Sequence, residues 1–177
     1  FFRRDPVSCC LIHDTFLIFA THSGVLHLCK PDMTPIRTFR VHKASILSIA
    51  TNGDYFATAS MDGSVVIGSI KDQSDITKFD FKRPVHAVAI DKNYKLTRWF
   101  VSGGMAGQVI VSQKKWMNGR SDIVIDEGNG PIVGIHYIGE VLMWANEAGI
   151  SIYNVSTKTK ILNIARPENS PRADLYW

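Results

Sequence analysis

Apolar residues in this chain come in short runs divided by polar turns that carry glycine. Four of these turns share a shape: Thr21-His22-Ser23-Gly24, Ser60-Met61-Asp62-Gly63, Gly104-Met105-Ala106-Gly107 and Asn146-Glu147-Ala148-Gly149. A run precedes each (Phe16 to Ala20, Tyr55 to Ala59, Trp99 to Ser102, Val141 to Ala145), and another follows (Val25 to Leu28, Val65 to Ile67, Val109 to Val111, Ile150 to Tyr153). Runs this short, rich in β-branched and aromatic residues, read as strands. Glycine at the turn supplies the positive φ that a tight antiparallel hairpin needs.

Two more strands flank each hairpin. Pro6-Val7, Pro84-Val85 and Pro131-Ile132 each open a strand upstream, and Ser45-Ile46 fills that place for the second hairpin. Proline suits the first residue of a strand, where its missing N–H breaks no ladder bond. Downstream, a polar turn leads into an alternating segment such as Lys78-Phe79-Asp80-Phe81, the pattern of a strand with one wet face. The turn glycines Gly24, Gly63, Gly107 and Gly149 lie 39, 44 and 42 residues apart.

Four strands per unit, repeated roughly every 40–45 residues, are the signature of WD-type β-propeller blades. The pattern predicts an all-β fold of about four antiparallel four-stranded blades, over residues 6–41, 42–82, 83–126 and 127–165, with 166–177 beginning a further blade. Four blades is the lower limit for a closed ring. The expectation is therefore part of a larger, seven-bladed propeller, its remainder following Trp177. Phe1 to Asp5 would then supply the outer strand of a preceding blade.

Composition changes this picture little. At 45% apolar and 20% charged, the 177 residues are ordinary for a globular protein and long enough to bury a core without disulfide or metal staples. A net charge of +4 suits an acidic partner or an anionic membrane surface but selects neither. No apolar stretch approaches the roughly 18 residues of a membrane helix. Three cysteines, an odd number, argue against a disulfide framework and for a reducing compartment.

Candidate chemistry is sparse. In WD repeats a His, a Ser or Thr, an Asp and a Trp form a buried network. His42, Thr58 or Ser60, and Asp62 are present here, but Gly68 stands in the Trp position. A partly satisfied structural network is expected, since no nucleophile stands at matched spacing for a catalytic His–Asp pair. Propeller glycosidases need paired carboxylates, whereas the acidic residues here fall mostly in outer strands and loops. The chain is thus expected to be no enzyme and to need no cofactor. Cys9, Cys10, His13, His27 and Cys29 lack the paired spacing of zinc ligands and are expected to be buried packing residues, with no metal. The glycines from Gly103 to Gly107 lead into a strand, not into the helix that a phosphate loop requires.

One segment points to binding. Lys114, Lys115, Trp116, Met117 and Arg120 combine positive charge with large apolar side chains, as interface hot spots do. They form the candidate partner-contact loop; the competing reading folds Trp116 inward as a cap and leaves the lysines solvated. Asn93 to Arg98 form a second, longer loop in the same blade. Neither has the aromatic spacing of an RNA-binding module, so no nucleic-acid partner is expected.

Particular strings go beyond the generic repeat: His22 to Leu28, Phe56 to Gly63, Phe79 to His86, Phe100 to Gly107, and Trp116-Met117-Asn118. Together they resemble the N-terminal propellers of the vacuolar protein sorting-associated protein 41 family, subunits of the HOPS tethering complex, with fungal members the closer match. The resemblance implies a large cytosolic protein whose propeller precedes an α-solenoid, peripheral to vacuolar or lysosomal and late endosomal membranes. It implies other HOPS subunits, a Rab-type GTPase and the AP-3 coat as partners, with membrane association through them, and action before SNARE-driven fusion. The family brings no catalytic or cofactor residues, and the lipid-packing sensor helix of its fungal members is not visible in this stretch. The alternative is a generic WD-repeat scaffold or substrate adaptor.

Overall fold

The computed structural model describes residues 2–115 and 119–171, which form sixteen strands and one helical turn. The first sheet comprises β1 (Val7–His13), β2 (Phe16–Thr21), β3 (Val25–Cys29) and β4 (Pro35–Arg40). The second comprises β5 (Ile46–Thr51), β6 (Tyr55–Ser60), β7 (Ser64–Ser69) and β8 (Ile76–Asp80). In the third, β9 (Val85–Ile90) is followed by α1 (Tyr94–Thr97), β10 (Trp99–Gly104), β11 (Val109–Lys114) and β12 (Arg120–Asp126). The fourth holds β13 (Gly134–Ile138), β14 (Val141–Asn146), β15 (Gly149–Asn154) and β16 (Thr159–Ala165). Each sheet is an antiparallel meander whose spatial order follows the chain, the topology of a propeller blade.

Burial explains the two kinds of apolar pattern. β6 and β7 are buried at every position and β10 at all but Trp99, so their sequences run apolar or small without alternation. The fourth strands are wet: in β8 only Phe79 is buried, and β16 is exposed along its whole length. The chain divides into two units, residues 1–85 and 86–177. In the first, Phe16, Ile18 and Leu26 of one blade pack with Ile46, Phe56 and Val66 of the next. In the second, Ala87, Val101 and Val109 pack with Ile132, Leu142 and Trp144.

The turn glycines answer two demands at once. Gly24 has φ +86°, and its carbonyl accepts hydrogen bonds from the N–H groups of Val41 and His42 at 3.2 and 3.1 Å. A Cβ at Gly24 would lie 2.4 Å from the His42 carbonyl oxygen. The hairpin therefore sits directly beneath the connection leaving the fourth strand. Gly107 repeats the arrangement, with φ +69° and the Gly130 carbonyl oxygen 2.8 Å from where a Cβ would be, whereas Gly149, at φ +138°, lies against the Ile164 carbonyl within β16. Gly63, at φ +83°, lies against the backbone of Arg83.

The chain start departs from expectation. Phe2 to Asp5 form turn and bend, not an outer strand. Asp5 instead caps the first hairpin, its carboxylate accepting from the Ser23 N–H at 3.1 Å and from the Ser23 hydroxyl. Pro131 likewise stands ahead of β13, not at its first residue.

Candidate functional site

The His42 network is more complete than the sequence implies. Its Nδ1 lies 3.2 Å from Asp62 Oδ1 and 3.0 Å from Ser64 Oγ, and its Nε2 lies 2.8 Å from Thr58 Oγ1. Asp62 has no proton to give, so Nδ1–H is the donor and Nε2 of the neutral ring accepts from the Thr58 hydroxyl. Burial holds the imidazole pKa below its ordinary value against the opposing pull of Asp62. Burial also opposes ionisation of Asp62, but the Ser64 hydroxyl, the Lys43 N–H and the Lys78 ammonium outweigh it and hold the carboxyl far below its usual range. The hydroxyl that faces the imidazole, Thr58 Oγ1, is fully buried and also lies 3.2 Å from the Val66 carbonyl, so the cluster is closed to a substrate. Its work is to fasten the connection at Lys43 to the turn at Asp62. The missing Trp is replaced from within the sheet: a Cβ on Gly68 would meet Phe56 Cζ at 2.6 Å, so the Phe56 ring occupies that volume.

The cysteines divide, against the expectation that all are packing residues. Cys29 is buried and Cys9 half-buried, with burial pushing the Cys9 thiol up to about 11. Cys10 is exposed. Alternation along β1 turns Cys9 toward Ile46 and Cys10 away from it. Among the described residues no three His, Cys, Asp or Glu side chains converge as metal ligands.

The candidate contact loop joins β11 to β12. Lys114 closes β11, its N–H bonded to the Arg98 carbonyl at 3.0 Å, and Lys115 N–H donates to the Gly119 carbonyl at 2.8 Å across the loop base. The Lys115 side chain is exposed. Arg120 opens β12, where its Nε donates to Asp122 at 2.8 Å and so is partly neutralised. Trp116 and Met117 lie outside the described residues.

Beside this loop stands α1, in the segment read as an irregular loop. Asp91 organises it, accepting from Asn93 N–H at 3.0 Å and from the Thr97 hydroxyl at 2.6 Å. Tyr94 is buried beneath the turn, and the Arg98 guanidinium stacks 5.4 Å over its ring. Gln113 Nε2 donates to the Thr97 carbonyl at 3.0 Å, tying α1 to the end of β11. Leu96 is left 85% exposed at the tip of the turn.

A polar anchor that sequence reasoning missed lies in the second unit. Trp144 is fully buried and donates from Nε1 to Asp126 at 2.8 Å, while Lys160 lies 3.4 Å from the same carboxylate and 5.6 Å above the indole. Nothing in the spacing of Asp126, Trp144 and Lys160 marks them as partners; only the packing of blade three on blade four brings them together.

Four-stranded meanders with glycine hairpins, outer wet strands and a buried His–Asp–Thr fastening define a WD-type propeller. A solved β-propeller domain of Cps50 (Swd1) from Myceliophteria thermophila superposes with TM-score 0.75 over 88% of this chain and 54% of that one, at 16% identity, a likeness of fold alone. The family model described as "Vps42 beta-propeller" matches residues 1–177. Vacuolar protein sorting-associated protein 41 of Saccharomyces cerevisiae is 45% identical over 94% of this chain, and its Arabidopsis thaliana homologue 33% identical over 97%. The chain belongs to the propeller family of vacuolar protein sorting-associated protein 41. It spans about a fifth of the length of these two relatives, 18% of each.

Proposed function

We propose that this propeller is the partner-docking part of a HOPS-type tether subunit that acts in vesicle docking and fusion at the vacuole or lysosome and the late endosome. It binds other HOPS subunits, a membrane-bound Rab-type GTPase and the AP-3 coat, and performs no catalysis. The observation that carries this reading is the family match along the whole chain, together with a hydrogen-bond network in which the catalysis-capable residues are consumed by structure. On this reading the β11–β12 loop, with Lys114, Lys115, Trp116, Met117 and Arg120, meets the GTPase, and the peripheral location follows from that contact. The generic scaffold reading is less well supported, because the family match is specific to vacuolar sorting proteins.

The test is recruitment of the full-length protein to the GTPase in its GTP form, immobilised on beads without lipid. K115E combined with W116A is expected to lower recruitment about tenfold or more while the thermal transition stays in place, as loss of an interface anchor does. Unchanged recruitment would remove the loop from the contact. Capture of a cullin-type ligase instead of tether subunits would replace the reading with that of a substrate adaptor.

A further inference from the structure

Six of the chain's 20 Lys and Arg residues lie at one end of one blade. In an antiparallel meander the β9–β10 and β11–β12 connections emerge at the same end of the sheet. In blade three these connections and their flanking strand ends carry Lys92, Lys95, Arg98, Lys114, Lys115 and Arg120 against two acids, Asp91 and the Asp122 that pairs with Arg120 at 2.8 Å. Asp91 is buried and accepts from Asn93 and Thr97, and the six cations outnumber the two acids. The corresponding connections of blade two hold Asp54, Lys71, Asp72 and Asp75, and those of blade four hold Glu140 and Lys158. Only blade three has a strong positive excess.

In the middle of this charge stands an apolar tip. Leu96 is among the most exposed large apolar side chains of the described residues, at 85%, with exposed Lys95 beside it and exposed Lys92 one turn earlier. The tip is held out by a rigid base: Tyr94 is buried, Asp91 staples both ends of the turn, and the Thr97 and Arg98 carbonyls are bonded to β11. Leu96 thus stays exposed because the backbone fixes it there. An exposed leucine in a segment with exposed Lys92 and Lys95 matches one kind of surface in both respects. Anionic headgroups attract the cations, and the apolar side chain reaches the acyl boundary while the long basic side chains extend back to the headgroups.

We propose that the α1 turn and the base of the β11–β12 loop form a direct contact with anionic membrane lipid. Leu96 inserts, and Lys92, Lys95, Arg98, Lys114 and Lys115 lie in the headgroup layer. This goes beyond docking through a GTPase, which needs no lipid contact from the propeller itself.

The experiment is co-sedimentation of the full-length protein with large, protein-free vesicles of phosphatidylcholine containing or lacking phosphatidylserine. Binding is expected to require the anionic lipid and to weaken as salt is raised, because contacts between exposed charges are screened. K95E/K115E is expected to lower partitioning at least tenfold, since each cation near an anionic surface contributes several-fold and reversal also adds repulsion. L96S is expected to lower it severalfold with no change in its salt dependence. Both variants alter exposed side chains, so circular dichroism and the thermal transition should match wild type. Equal binding of K95E/K115E and wild type would overturn the proposal. So would intact vesicle binding by that variant alongside loss of a protein partner, which would assign the patch to an acidic protein surface. Because the vesicles carry no GTPase, failure here leaves the tether reading standing, and failure of GTPase recruitment leaves this contact standing.

Discussion

His42 shows how a single buried residue ties the stability of a blade to pH. Its pKa is lowered from 6.5 by burial, and those of His27 and His86 shift the same way for the same reason. Between the folded and unfolded values the unfolded chain binds more protons, so stability rises with pH. The contribution is complete above the unfolded value of 6.5 and is lost as pH falls from there toward the folded value. Asp62 is also depressed, but its share is lost only below 3.8, in a separate window. Thermal melts of the chain between pH 7.5 and pH 5 are thus expected to show a falling midpoint. H42Q should lower the midpoint at pH 7.5 and flatten the slope, leaving the part due to His27 and His86. A slope unchanged by H42Q would mean that the imidazole is not held neutral.

At the level of the hairpin, glycine is required for reasons that differ from turn to turn. Gly139 has φ +63° and open space around it, so alanine there meets only the backbone cost, about 1–2 kcal/mol. Gly24 has φ +86° and a carbonyl oxygen 2.4 Å from the missing Cβ, so alanine must also push apart the hairpin and the β4–β5 connection. Chemical denaturation is expected to show a loss of about 1–2 kcal/mol for G139A and more than about 3 kcal/mol for G24A, the range of steric strain in packed structure. Equal losses would show that φ alone sets the need for glycine. Both conformations are compatible with the same local sequence signal, a glycine after a polar turn. The close approach depends on a strand some twenty residues away.

At the scale of the molecule, the exposed edges are informative. β16 leaves Ile161, Leu162 and Ile164 at 55%, 50% and 48% exposure, an apolar stretch on the outermost strand of its sheet. The alignment takes in 88% of this chain but only 54% of the solved Cps50 propeller, which is therefore the longer of the two, by roughly 60%. An apolar edge of this kind is a site of association. The 177-residue chain is therefore expected to bind the dye ANS and to sediment partly as oligomers. A monodisperse, dye-silent short chain would show that this edge is satisfied as it stands.

The amino-acid sequence by itself determined the all-β architecture, because strand alternation, turn glycines and a forty-residue period are local signals that each blade repeats. It determined the family as well, since the strings His22 to Leu28, Phe56 to Gly63, Phe79 to His86 and Phe100 to Gly107 are specific in themselves. The hydrogen bonds of His42 were half legible: the His and Asp stand at their places in the repeat, but that Phe56 fills the space above Gly68 depends on a side chain crossing from the next strand. The bond from Trp144 to Asp126 was not legible, because 18 residues and a blade boundary separate them. The exposure of Cys10, the capping by Asp5 and the outward Leu96 were decided only by tertiary structure. Each depends on what packs against a face or a turn, and a pattern along one strand cannot say what its neighbours will cover.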